Sequence, residues 1–210
     1  GADEDRGRER RPDQAVQRRA GLRGADPETI AKRYLDQAVE SDATPAITAP
    51  ALSGAVTEFK SLGSETLALT GTKSVKFRQM IEKIPVYGSL VTIELDEKND
   101  LVSINSAVGA PKGVSAQASV SPAQAVAVVA KNARYLADVK KAEAPRLNFY
   151  FDERKRKWRL VWILEDVPTR PKSRRGAKSG KPAPHFMDFV IDAHTASLVE
   201  ALPRTPTAGA

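Results

Sequence analysis

The chain has 210 residues, enough for one mid-sized domain or two small ones. Hydrophobic residues make up 41%, charged residues 28%, and there are 14 prolines, which points to folded parts joined by polar segments. The lack of cysteine excludes a disulfide scaffold, a thiol nucleophile and thiolate-held zinc within this chain. Two histidines, His185 and His194, leave little material for metal sites or general-base catalysis, so an ordinary hydrolase is disfavoured. No run of eighteen apolar residues occurs, so no membrane-spanning helix and no membrane partner is expected.

The net charge of +7 comes from 33 basic against 26 acidic residues. The segment 170–181, RPKSRRGAKSGK, holds six basic residues and no acidic one; removing it leaves 27 against 26. The excess therefore belongs to one Gly/Ser/Pro-rich stretch and not to a basic face, and a nucleic-acid partner is disfavoured. A solvated loop is the expected role of residues 170–182, ahead of a dedicated anion site.

Along the chain, residues 1–25 carry many charges and almost nothing apolar, and read as disordered. Order is expected from Asp26-Pro27-Glu28, where Asp caps, Pro fits the first helical position and Glu complements the helix dipole. Ile30, Tyr34, Leu35 and Ala38 recur at helical spacing up to about Ser41. Residues 42–54 are rich in Pro and Ala and read as a linker or extended strand.

From Glu65 the period becomes two. Val75, Phe77, Gln79 and Ile81 fall on one strand face, Val86 to Leu95 makes a second strand, and 97–100 is a turn before Leu101 to Asn105 returns. After a linker at 110–120, Ser121-Pro122 starts a helix with a small apolar stripe of Ala125, Val126, Val129 and Ala130. Four strands follow: Arg146 to Phe151, Lys157 to Leu164, Phe186 to Ile191 and Ser197 to Ala201. The expected class is α+β, with two small units that each pack a helix on an antiparallel sheet.

The stretch from Val75 through Phe77-Arg78-Gln79, the corner Ile84-Pro85-Val86-Tyr87-Gly88, the strand 91–95 and Leu101-Val102-Ser103-Ile104-Asn105 resembles the propeptide module of thermolysin and fungalysin metalloproteases. Downstream, Ser121-Pro122-Ala123-Gln124-Ala125, the strand from Trp158 to Trp162, and Phe189 to Thr195 resemble the PepSY domain that follows it in such proenzymes. The resemblance implies a cystatin-like module over 26–109, a PepSY-like domain over 117–203 with the basic loop inside it, and a tail at 204–210.

Two departures stand out. The corner usually carries two glycines, and here it reads Gly88-Ser89. The last turn commonly ends in glycine, and here Ala196 takes that place, so a differently built turn is expected. No His-Glu-x-x-His occurs, so the zinc peptidase domain that would follow such a propeptide is not in this chain.

Most candidate residues carry a structural reading first. Arg78 is expected to bridge neighbouring strands, Pro85 and Gly88 to shape the corner, and Asp192 to accept hydrogen bonds in its turn. Trp158 and Trp162 share a face with Leu160 and are expected in the sheet core. No catalytic, metal or cofactor constellation stands out, so neither an enzyme nor a cofactor is expected.

The resemblance implies a secreted or periplasmic propeptide that assists folding of a zinc metalloprotease catalytic domain, in cis or in trans, and inhibits it. The inhibitory segment would be Leu198, Val199, Glu200, Ala201, Leu202, Pro203 and Arg204, extended and apolar at its start. The rival is a stand-alone secreted PepSY-type module, or a protein that attaches to polyanions through the basic loop; a cryptic enzyme ranks last.

Overall fold

The computed structural model describes residues 26–40, 57–172 and 185–204. The expectations for 1–25, for 42–54, for most of the basic loop and for the tail after Arg204 fall outside these residues. The chain divides into two compact units. The first draws its described residues from 26–40, 60–78 and 90–107, and the second from 57–59, 79–89, 108–172 and 185–204.

In the first unit, helix α1 (Pro27–Glu40) starts as its sequence dictates. The Asp26 carboxylate accepts from the Glu28 amide and the Thr29 hydroxyl, supplying one of the partners a helix start lacks. Its inward stripe is Ile30, Ala31, Leu35 and Ala38, all buried, and the helix packs on the strand Leu90–Leu95. Tyr34 is half-buried and donates to the Asn99 carbonyl at 3.5 Å.

The first sheet has β1 (Thr57–Thr66), β2 (Lys73–Ile81), β4 (Leu90–Leu95) and β5 (Leu101–Ala107) in that order, with β3 (Ile84–Pro85) beside β2, and the β2–β3, β2–β4 and β4–β5 pairs are antiparallel. Val75, Phe77, Gln79 and Ile81 are buried in alternation, as their period predicts, and Val75 faces Ile93 across the ladder. The β4–β5 turn is held by the Asp96 carboxylate, which accepts from the Lys98 and Asp100 amides, and Asn99 supplies the left-handed residue at φ 65°.

Two readings need correction here. The strand expected from Val86 begins only at Leu90, because 86–89 forms a corner. Strand β1 was not expected: Phe59, Ser61 and Gly63 are its half-buried positions, and only one of them is apolar.

The second unit has helix α2 (Pro122–Ala130) on a sheet whose strand order runs Leu198–Pro203, His185–Asp192, Lys157–Pro171, Tyr135–Ala137, with Arg146–Asp152 also on Lys157–Pro171. The strands are β6 (Tyr135–Ala137), β7 (Arg146–Asp152), β8 (Lys157–Pro171), β9 (His185–Asp192) and β10 (Leu198–Pro203), and all pairs are antiparallel. Ser121 caps α2, its hydroxyl accepting from Gln124 while Gln124 reaches back to the Ser121 amide. Ala125 and Val129 then lie on Leu164, Val167, Met187, Phe189 and Ile191. Small residues on the helix let it approach that sheet closely.

The fold class is the expected one, α+β with two antiparallel sheets. Strand β8 corrects the expected end at Leu164. It continues to Pro171 through a bulge at Glu165 and Asp166, and β6 pairs with its far end. Arg170, read as the first residue of the loop, is therefore in a strand.

Candidate functional site

The corner after β2 is built around one buried amide. Gln79 is 1% exposed, and its side chain forms a reciprocal pair with Gly109: Nε2 donates to the Gly109 carbonyl at 2.9 Å, and Oε1 accepts from the Gly109 amide at 2.8 Å. A side chain here does the work of a strand backbone, closing both polar groups of Gly109 in a half-buried loop. Gly109 sits where a Cβ would meet the Trp158 ring at 2.4 Å, so glycine is what lets the loop reach Gln79.

Ser89 explains the absent second glycine of the corner. It is buried, its hydroxyl donates to the Val86 carbonyl at 2.6 Å and accepts from the Gln79 amide at 3.1 Å. Gly88 before it takes φ 75°. Pro85 pairs with Met80 in β3, Val86 bridges Phe149 of β7, and the Tyr87 amide donates to the Phe149 carbonyl at 2.8 Å. Ile81, Ile84 and Val86 are buried with Phe149, Leu160 and Ala193, and Trp158 and Trp162 pack on that cluster. Tyr87 itself is 40% exposed, with its ring 5.3 Å from that of Tyr150. Phe77 is buried, and Arg78 is half-buried on the other strand face.

A second constellation ties two hairpins together. Asp152 opens the β7–β8 turn and accepts from the Arg154 and Lys155 amides, while Asp192 opens the β9–β10 turn and accepts from His194 and Thr195. Arg159 lies between them, donating from Nε to Asp152 and from Nη1 to Asp192, each at 2.8 Å. Burial is the largest single influence and disfavours charge on both carboxyls, but the hydrogen bond and charge of Arg159 and the turn amides together outweigh it and hold both below the ordinary aspartate range. Asp192 is thus the turn acceptor its sequence position indicates. Arg159 has one visible sequence cue, a lone charge in the otherwise apolar run Trp158 to Leu164.

The turn after Asp192 corrects another expectation. Ala196 takes φ 63°, the left-handed value that a glycine would adopt, so the turn keeps its geometry without glycine. His194 stands in the same turn, its ring within 3.1 Å of the Ser115 carbonyl and 3.4 Å of the Ser119 hydroxyl. His185 begins β9 opposite Thr169. Among the described residues no group of three or more His, Asp or Glu could hold a metal.

Residues 198–203 form β10, which bulges at Val199 and pairs with β9 on one side. It stands at the end of the strand order, so its other edge is open among the described residues. Val199 and Leu202 pack against Val161, Ile163 and Val190. Arg204 follows directly: Nε lies 3.1 Å from Asp188, Nη2 3.4 Å from Glu165 and Nη1 3.9 Å from Asp166. The bulge in β8 is what brings Glu165 and Asp166 to that spot, and the sequence offered no cue to it.

Residues 57–108 match the Fungalysin/Thermolysin Propeptide Motif, about a quarter of the chain. The matched stretch takes in β1 to β5. Among solved structures, the chain is similar to the Bacillus megaterium YpeB C-terminal domain at 9% identity and a TM-score of 0.37, over 87% of this chain and 67% of that one. No curated protein matches it in sequence.

Proposed function

We propose that this chain is the propeptide of a thermolysin-like zinc metalloprotease, acting as folding chaperone and inhibitor of a peptidase domain that it does not contain. The observation that carries this reading is the propeptide motif over residues 57–108. The physical logic is template binding. A peptidase rich in non-local contacts crosses a high folding barrier, and a prefolded partner complementary to its late transition state lowers that barrier. Complementarity to the native peptidase then holds the enzyme inactive until the propeptide is cleaved. This reading places the protein in a secreted or periplasmic setting.

Inhibition falls to Leu198 through Arg204. Strand β10 offers an extended, partly apolar segment with one edge open among the described residues, which suits pairing with an extended-peptide cleft. Pairing with β9 fixes its conformation beforehand, so little ordering entropy is lost on binding. Pro203 lacks the amide proton that a neighbouring strand would use and would resist cleavage nearby.

The test is to refold a denatured thermolysin-like peptidase from the same source with and without this chain, then titrate the chain against the native enzyme. Raised recovery of activity and inhibition at or below about micromolar concentration support the reading. If neither occurs, the reading fails. Replacing Pro85, Tyr87 or Gln79 is expected to lower the refolding yield by disturbing the corner, with less effect on inhibition.

A further inference from the structure

We propose that the cavity between β6 and the far end of β8 is a binding site for an acidic polysaccharide chain. The site does not depend on the propeptide reading. Its volume is about 580 Å³, and Lys140, Lys141 and Arg170 line it together with Leu136, Val139 and Pro168. The topology assembles it: Leu136 pairs with Arg170, Ala137 with Thr169, and the Asp138 amide donates to the Pro168 carbonyl at 2.8 Å. A short 3₁₀ turn at Val139–Lys141 then sets both lysines on the cavity that Arg170 lines.

The charge here is invisible to local counting. Residues 130–141 and 168–172 hold Lys131, Arg134, Lys140, Lys141, Arg170 and Lys172 against a single carboxylate, Asp138. Asp138 meets Lys141 at 3.7 Å, with both side chains largely exposed, and neutralises little. Lys172 is anchored at the edge, its Nζ donating to the Asn132 carbonyl at 2.7 Å and its amide to the Arg134 carbonyl at 3.0 Å. Along the sequence the basic excess falls in one stretch, whereas the fold sets the start of that stretch, Arg170, on the same cavity as Lys140 and Lys141. Three cations from two segments thus line one cavity.

The lining selects among polyanions. Stacking of unpaired nucleic-acid bases needs exposed aromatic faces, and among the described residues no aromatic lines the cavity. Tyr135 nearby is committed to an edge contact with Phe189, at 6.2 Å between ring centres. Inorganic polyphosphate has no use for the apolar lining of Leu136, Val139 and Pro168. A sugar ring uses both parts of the site, its C–H face on those side chains and its carboxylate or sulfate groups on the three cations.

The experiment titrates the full chain with a fluorescent heparin-derived oligosaccharide, with dextran, inorganic polyphosphate and single-stranded DNA as comparators. The wild type is expected to bind the oligosaccharide and not dextran, with affinity falling steeply between about 50 and 200 mM salt. K140Q/K141Q and R170Q are expected to weaken binding about tenfold each, with unfolding midpoints unchanged because these side chains lie at the surface. A loop variant, R174Q/R175Q/K178Q/K181Q, is expected to keep most of the affinity. Protection of Lys140 and Lys141 from acetylation by the oligosaccharide gives a second readout in the unaltered protein. Binding that survives K140Q/K141Q and R170Q, or vanishes in the loop variant alone, overturns the proposal. So does equal or tighter binding of DNA or polyphosphate.

Discussion

Arg159 and Asp192 form a hydrogen-bonded ion pair at 2.8 Å, and the same guanidinium reaches Asp152 at an equal distance. The three side chains are between 7% and 13% exposed, so the pair is screened little by solvent. Each aspartate spends its other oxygen on its own hairpin turn. One arginine thereby fixes the β7–β8 and β9–β10 turns relative to each other, at the end of the second sheet from which β10 departs.

Removing the arginine leaves two buried carboxylates facing one another. R159M is expected to cost about 3–5 kcal/mol, measured by urea unfolding at pH 7. Asp152 and Asp192 have folded values below the ordinary 3.8, so the unfolded chain binds more protons in the acid range. The contribution is complete above the unfolded value and is lost as pH falls through the folded ones. Wild-type stability should therefore drop below about pH 5, and R159M should show a shallower drop. An equal acid slope in both proteins would refute the assignment.

Ala196 at φ 63° holds a conformation that glycine adopts without strain. A196G is expected to stabilise the second unit by about 0.5–1 kcal/mol, relief of the left-handed strain exceeding the added freedom of the unfolded chain. Thermal unfolding should show a small upward shift in midpoint. A downward shift would mean that the turn tolerates alanine for a reason other than strain held by its neighbours.

Tyr150 is pushed up to about 12, first by burial and then by the nearby Glu200, Tyr87 and Asp152. Its neutral phenol is favoured in the folded state, so the stability it contributes is present below pH 10 and lost as pH rises through 12. Ultraviolet titration of the four tyrosines should show one ionising last. That late step should vanish in Y150F and move to lower pH in E200Q, which removes one of the repelling charges.

How much of this was legible in sequence depends on whether a contact is local. Alternation revealed the buried face of β2 down to Gln79, and Ser121-Pro122 with Gln124 revealed the start of α2, because those signals lie within a few residues. The corner showed itself as turn chemistry. Its closure by Gly109 did not, since the amide that needs it is thirty residues away. The bulge in β8 was hidden by Glu165-Asp166 and Pro168, which read as a strand end, while pairing with β6 and β9 carries the strand onward. Tertiary partners overrode the local signal there, and the same bulge makes the carboxylate cluster around Arg204.

That cluster yields the prediction that best separates the two proposed activities. Arg204 ends the extended segment, and Asp188 does most to keep its guanidinium charged, with Asp166 and Glu165 adding to it. Asp188 also accepts from the Asp166 amide at 2.8 Å, so the carboxylates are positioned before the arginine arrives. R204A removes the side-chain anchor and leaves the backbone bond from residue 204 to the Phe186 carbonyl, so β10 should fray only at its end. The corner at 79–89 lies elsewhere in the second unit and keeps its own hydrogen bonds. Inhibition of a thermolysin-like peptidase by R204A should weaken by about tenfold, a loss of about 1.4 kcal/mol, while the yield of assisted refolding stays near that of the wild type. Q79L should give the opposite pattern. If both variants lose both activities together, the chaperone and inhibitor functions share one surface, and the division of labour between corner and tail is wrong.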